Sequence, residues 1–373
     1  MKTIEVHLVN AFTAFEKGGN PAGVVLNADS LSVEEKLKVA QAVGYSETAF
    51  VSKDEHADVA LSFFTVTGEV DFCGHATLAA FSLMFKKGIL QAGDYTQRTK
   101  AGMLGVSITD EGNVVMGQKS PEFIQRLTYE GISELIGIAP DILASTHLPI
   151  EVVSTGLPDI IVAVPPGYLS KIDLNVDKTT EFCQQHNAVG IHAFELCEPS
   201  SNLTASCRNF APLLGITEES ATGSASGALA CYLAKHGIDG ISSDEPSFEK
   251  SSIKKTSIEE SYIQGSSKED RCLAGASLEH SLVKHSLVKD SSVKDSHVEE
   301  SQLVDRRTEG QPHNISNLVL NYAFEQGRAM MCCSHIFAKV VNNESKDQER
   351  EKTKWEVSVG GTASPMGKKA VVL

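Results

Sequence analysis

The sequence is short of positive charge, of paired cysteines and of long apolar runs. Lys and Arg number 33 against 48 Asp and Glu, for a net charge of −15. A surplus of that sign repels phosphate backbones and anionic membrane surfaces, so nucleic acid is not an expected partner. It does not exclude a small anionic substrate, because a few local donors outweigh a distant field. No stretch approaches the roughly 18 apolar residues that a membrane-spanning helix needs. The opening string MKTIEVHLVNAF alternates like a strand and lacks the basic-then-apolar layout of a secretory signal. The eight cysteines (Cys73, Cys183, Cys197, Cys207, Cys231, Cys272, Cys332 and Cys333) form no CxxC pair and lack the dense spacing of a secreted scaffold. A cytoplasmic protein with reduced thiols is expected. The sequons at Asn202, Asn314 and Asn343 are then accidental.

Several chemical signatures are missing too. There is no GxSxG, no GxGxxG after a strand and no GKS or GKT. No His, Asp or Glu stands at metal spacing from His75, so no metal or other cofactor is expected.

What is present is a chain of 373 residues with 41% hydrophobic and 22% charged residues, the balance of a soluble globular protein. Single cores stop growing at roughly 250–300 residues, so two domains are expected. One segment, about 241–311, does not suit a core. It holds the pentads SLVKH, SLVKD, SSVKD and SHVEE over Ser281–Glu300. A period of five matches neither the helical 3.6 nor the strand 2.0, so its apolar residues would rotate around every face. A solvated, disordered insertion is the reading, and a docking segment for an unknown protein is the alternative. The charged stretch Asn342–Lys354 reads as an elongated hairpin loop.

Elsewhere strands alternate with short helices. HLVNAF, AGVVLN, TAFVSK and VALSFFTV read as strands. Ser32 and Glu35 form a capping box for a helix to Val43, with Val33, Leu37 and Ala40 as its buried stripe. Further helices are expected after Gly74, near Gly131 and after Gly223. A duplication also emerges. CGHATLAAFSLMFKKG (Cys73–Gly88) aligns without gaps to TGSASGALACYLAKHG (Thr222–Gly237). AVG at Ala42–Gly44 recurs at Ala188–Gly190, each followed by a strand with an Ala-Phe pair. GNPAGVV at Gly19–Val25 pairs loosely with GLPDIIV at Gly156–Val162. Two similar halves would enclose one cleft, where ligand sites often lie.

The paired turns at Gly74 and Gly223 put free backbone N–H groups at two helix starts, a cradle for a carboxylate or an enolate-like charge. Tight packing of two central helices is the plainer explanation. Glu47 stands beside Ala49, Phe50 and Val51, an apolar neighbourhood that raises a carboxylate's pKa and suits a general base; a surface strand-edge glutamate is the alternative. His75 at a helix start would tend to be neutral, or simply make a local hydrogen bond. Cys73 could be a thiol activated by its helix start or a buried inert one. Ser224 and Thr222 could act as nucleophiles only beside a base.

Taken together, GNPAGVV, SETAFV, FCGHAT, RNFAP, ATGSASG, FEQGR and VSVGG resemble the PhzF family of phenazine-biosynthesis-like proteins. That family belongs to the diaminopimelate epimerase and proline racemase superfamily. The resemblance covers roughly 1–240 and 317–373. It implies an α/β (α+β) fold of two similar epimerase-like domains, each a barrel-like sheet around a central helix. The expected bounds are 1–118 and 119–363, with the strand at about 364–373 returning to the first domain and the 241–311 insertion inside the second. It implies a cofactor-independent isomerase in which Glu47 shuttles a proton on a small carboxylate-bearing metabolite. By motif, His75 and Ser224 hold or orient substrate, Gly74 and Gly223 are the helix-start turns, and Asn20 lines the cleft. A homodimer is the family expectation. Relatives carry aspartate where this chain has Glu219, which places the family's anthranilate-type substrate in question. Superfamily racemases use a cysteine at each helix start; here Cys73 faces Thr222, so Glu47 is the better base and a racemase the weaker alternative. A non-catalytic binding protein is the alternative from another class.

Overall fold

The computed structural model describes residues 2–241, 318–344 and 353–373. The pentads, Cys272, Asn314 and the insertion from residue 242 onward lie outside the described residues.

Six helices occur among the described residues: α1 (Val33–Val43), α2 (Gly74–Lys86), α3 (Tyr129–Ile136), α4 (Pro140–Ala144), α5 (Val176–Gln185) and α6 (Gly223–Lys235). The start of α1 is the capping box read from sequence: Ser32 Oγ accepts from Glu35 N at 3.2 Å and Glu35 Oε2 accepts from Ser32 N at 2.9 Å. Its buried face keeps Leu37 and Ala40 of the expected stripe but not Val33. Val33 is 58% exposed, whereas Val39 and Ala40 are buried. Val33 is the first helical residue, a full turn before the point where the helix meets the sheet. None of the described helices is long and apolar enough to cross a membrane.

The strands repeat one pairing order twice. In the first half, Thr3–Ala11 pairs antiparallel with Asn20–Val25, which runs parallel to Glu47–Ser52. Glu47–Ser52 pairs antiparallel with Val59–Phe64, which runs parallel to Gly93–Thr99. Two antiparallel steps follow, to Gly102–Ile108 and Val114–Gln118. In the second half Ile150–Ser154, Pro158–Ala163, Gly190–Leu196, Ala205–Ala211, Leu318–Gln326, Ser334–Glu344 and Thr353–Gly361 pair in the same sequence of senses. α1 and α5 fill equivalent crossovers, and α2 and α6 fill the next pair. Each half also gains an outer strand. Glu122–Leu127 pairs with Ile150–Ser154, and Ala363–Val372 crosses back to pair with Thr3–Ala11.

The halves join where Val114–Gln118 pairs antiparallel with Thr353–Gly361. The strands around the expected loop at Asn342–Lys354 are longer than the sequence suggested, because pairing continues to Glu344 and Thr353. α2 and α6 are buried almost all round, α2 from His75 to Met84 and α6 from Ala225 to Leu233. That is the mark of a helix enclosed by its sheet. One core runs through both, including Leu78 and Phe81 of the first half and Leu229 and Tyr232 of the second. Outer layers cover the reverse faces: α1 with Phe50 and Phe64 on one half, α3 and α5 with Ile160 and Ala193 on the other.

Register corrects one part of the duplication. Ala22 pairs with Glu47 and Asp159 with Gly190, so the equivalent of Glu47 is Gly190. Phe50 then matches Ala193 in the outer layer, and Val51 matches Phe194 in the inner core. The two Ala-Phe pairs are out of step by one residue, which turns them to opposite faces. Gly44 likewise caps α1 with φ of 80°, whereas Gly190 begins a strand.

Candidate active site

The two central helices begin alike. Cys73 and Thr222 are their N-caps, both in extended conformation, and neither side chain caps its helix. The helix dipole favours negative charge at both starts. The glycines differ in surroundings. A side chain at Gly223 would meet the Phe12 ring, while nothing lies within 4 Å of the corresponding point at Gly74. Open space beside Gly74 is what close approach of a ligand requires.

The first half supplies Glu47, Cys73, His75 and Asn20. Glu47 opens its strand, and its side chain is 18% exposed. Its Oε2 lies 3.4 Å from His75 Nε2. The alignment is too poor for a hydrogen bond, so this buried nitrogen is unpartnered within the protein. His75 Nδ1 lies 3.4 Å from Cys73 Sγ. Burial, then the Glu47 carboxylate, push the Cys73 thiol well above its usual range, although the Ala76 and His75 N–H groups pull the other way. The helix start thus fails to activate Cys73, which stays a protonated thiol.

The second half supplies Glu219 and Thr222. Glu219 Oε1 accepts from Asn20 Nδ2 at 2.9 Å, a bond between the halves. Glu219 Oε2 accepts from Thr222 Oγ at 2.6 Å. Asn20 Nδ2 also donates to Ala221 O at 3.1 Å. The turn before Asn20 needs glycine. Gly19 has φ of 88°, and a side chain there would strike Ala11 O. Burial raises the Glu219 pKa against the opposing influence of His75 and its two hydrogen bonds. Glu47 also acts on Glu219. The two carboxylates and the histidine therefore occupy one neighbourhood.

Three supports were not singled out from sequence. Gln326, fully buried, accepts from Thr222 N at 3.2 Å and donates to Glu219 O at 2.7 Å. Gln118 donates to Gly223 O at 3.0 Å. Thr155 donates to Gln118 Oε1 at 2.6 Å and lies 3.2 Å from Ser224 O. They hold the start of α6 by its backbone, which places Ser224. Gln326 lies in the FEQGR string, but nothing in that string shows what it binds; Gln118 and Thr155 lie in no motif, and all three have partners far off in sequence.

The donor set also includes a possible cation cluster. Ligand atoms of Glu47, Cys73 and His75 lie within 4.8 Å of one another. Glu47 and His75 face each other there at 3.4 Å, an arrangement that suits proton chemistry.

A doubled sheet-and-helix fold, with acid–base groups between two uncapped helix starts, is the epimerase-like class. The chain belongs to the phenazine biosynthesis-like (PhzC–PhzF) family, whose model matches residues 9–266. Several of its relatives are named isomerases. A Bacillus subtilis protein, uncharacterized isomerase YfhB, is 35% identical over 247 residues, covering 64% of this chain and 83% of that protein. The trans-2,3-dihydro-3-hydroxyanthranilate isomerase of Pseudomonas fluorescens is 26% identical, covering 62% and 80%. The crystal structure of a Bacillus anthracis PhzF-family protein covers 100% of both chains at 26% identity, with a TM-score of 0.69. A hydroxyproline epimerase from Agrobacterium vitis shares the fold at a TM-score of 0.50 and 9% identity.

Proposed function

We propose that the protein is a cofactor-independent isomerase that moves a proton on a small carboxylate-bearing metabolite. The observation that carries this is the Glu47 carboxylate poised 3.4 Å from His75 Nε2 beside the open start of α2. Glu47 takes a proton from carbon and returns it to a different carbon of the same substrate. The enolate-like charge that develops meets the positive end of the helix dipole at the start of α2. His75, with an unpartnered nitrogen, orients a substrate oxygen. Glu219, fixed by Asn20 and Thr222, forms the opposite wall. Gly74 lets the substrate approach the backbone, while Gly223 and Ser224 present the start of α6.

A two-thiol racemase fits less well. Cys73 has no thiol opposite it, and the Thr222 hydroxyl is already committed to Glu219. Such a hydroxyl is far too weak an acid to serve as the second base.

The test is proton exchange in deuterated water, starting with trans-2,3-dihydro-3-hydroxyanthranilate, the compound named for the Pseudomonas relative. Wild type should incorporate deuterium, and Glu47→Gln should lose about 10²–10⁴-fold of the rate, the usual worth of a general acid–base. Unchanged exchange in Glu47→Gln would reject Glu47 as the base.

A further inference from the structure

Behind the loop that leads to Asn20 lies a second cluster of donors. The strands Leu318–Gln326 and Ser334–Glu344 form an antiparallel pair in which Glu325 stands opposite His335. Directly opposed residues share a face. Cys333 comes at the end of the connecting turn. Ligand atoms of Glu325, Cys333 and His335 all lie within 4.8 Å of one another.

Glu325 is 5% exposed, and its Oε1 is held by Arg328 Nε at 2.6 Å, which leaves the other oxygen to point elsewhere. The His335 imidazole offers a nitrogen lone pair on that same face. The Cys333 thiol is hydrogen-bonded to Glu325, and burial followed by that carboxylate pushes its pKa above the usual range. A protonated thiol beside a carboxylate is a poor nucleophile, but a metal ion can displace its proton. The plainer reading is a structural thiol–carboxylate hydrogen bond. It accounts for two of the groups and leaves the convergence of the imidazole unexplained.

We propose that Glu325, Cys333 and His335 form a three-ligand site for a borderline-soft divalent ion, zinc foremost. Sulfur, imidazole and carboxylate together match zinc and its neighbours in the transition series, and a calcium or magnesium site would call for oxygen donors. On binding, the Cys333 S–H bond breaks, its proton passes to solvent and a metal–sulfur bond forms, with no change of oxidation state. His335 contributes a nitrogen lone pair, and Glu325 contributes the oxygen that Arg328 does not hold. The site is tied to the loop ahead of Asn20. His335 N donates to Phe12 O at 3.0 Å, and Thr13 bridges to Ser334. The Phe15 ring meets His335 edge-on at 5.4 Å. A bound ion would therefore stiffen that loop. The proposal does not depend on the isomerase reading.

The test uses the full chain, stripped with chelator and titrated with Co²⁺ alone and then Zn²⁺ alone. One equivalent of Co²⁺ should produce a thiolate-to-cobalt charge-transfer band, and Zn²⁺ should displace it. Affinity should rise about tenfold per pH unit, because one proton is released. Cys333→Ser should abolish the band and weaken Zn²⁺ binding by more than the roughly 100-fold that an outer-shell change can cost. His335→Gln should weaken binding but keep the band. Cys332→Ser, Cys197→Ser and Cys73→Ser should keep both. Absence of a band in wild type, or a band that survives Cys333→Ser or vanishes with Cys73→Ser, overturns the proposal. X-ray absorption of the zinc-loaded wild type decides independently of any variant. One sulfur at about 2.3 Å supports the site, and oxygen and nitrogen alone reject it.

Discussion

Asp159 is a buried carboxylate with no hydrogen-bond partner among the described residues. It is 1% exposed, and neither carboxylate oxygen has a hydrogen-bond partner within the protein. Burial, with Glu219 adding repulsion, raises its pKa to about 8. An unfolded Asp gives up its proton near 3.8. Between those values the folded state binds more protons than the unfolded state, so stability falls as pH rises. Asp159→Asn should therefore raise the melting temperature, most near pH 8 and least near pH 4. A thermal-denaturation series at those pH values measures this, and an equal shift at all pH values would contradict it. Sequence reading found Glu47, His75 and Asn20 because each sits in a compact string. Asp159 lies in GLPDIIV, a string noticed only as a loose repeat. Its peculiarity comes from what surrounds it in space, as do the roles of Gln118 and Gln326, whose partners are about a hundred residues away.

At the level of elements, the last turn of α6 is anchored by one buried carboxylate. Glu151 on strand Ile150–Ser154 receives Lys235 Nζ at 3.1 Å, His236 Nε2 at 3.0 Å and Arg126 Nε at 2.9 Å. Burial alone would raise the Glu151 pKa, but these three partners outweigh it and bring it down to about 2. The contribution is present above the unfolded value of 4.5 and is lost as pH falls toward about 2. Glu151→Gln should cost about 2 kcal/mol at pH 7 and progressively less below pH 4.5, read by urea denaturation. Helix starts were legible because glycine, small residues and caps carry local signals. α5 was missed, since its Asn175 cap precedes a run with few apolar residues. The slip between Phe50 and Phe194 was also hidden, because strand register depends on pairing partners and not on the string itself.

For the whole molecule, the duplicated halves are locked together by a shared core and by the pairing of Val114–Gln118 with Thr353–Gly361. We propose the division at 118/119 with the last strand belonging to the first half. Residues 1–118 expressed alone should then fail to fold, because Thr3–Ala11 lacks its neighbour Ala363–Val372 and the inner core lacks α6. Co-expression with 119–373 should restore a soluble complex. Circular dichroism and gel filtration of the separate and combined pieces measure both outcomes. A cooperatively folded 1–118 fragment would refute the assignment of the last strand to the first half.

The returning strand also has a consequence in time. A ribosome makes Thr3–Ala11 early and its partner Ala363–Val372 only after the other described strands. The half that carries Glu47 and His75 therefore keeps one sheet edge unpaired until Ala363–Val372 is made. An open edge of that kind invites pairing with other chains. Truncations that remove Ala363–Val372 would leave it permanently exposed, and such products should be cleared by quality-control proteases or captured by chaperones.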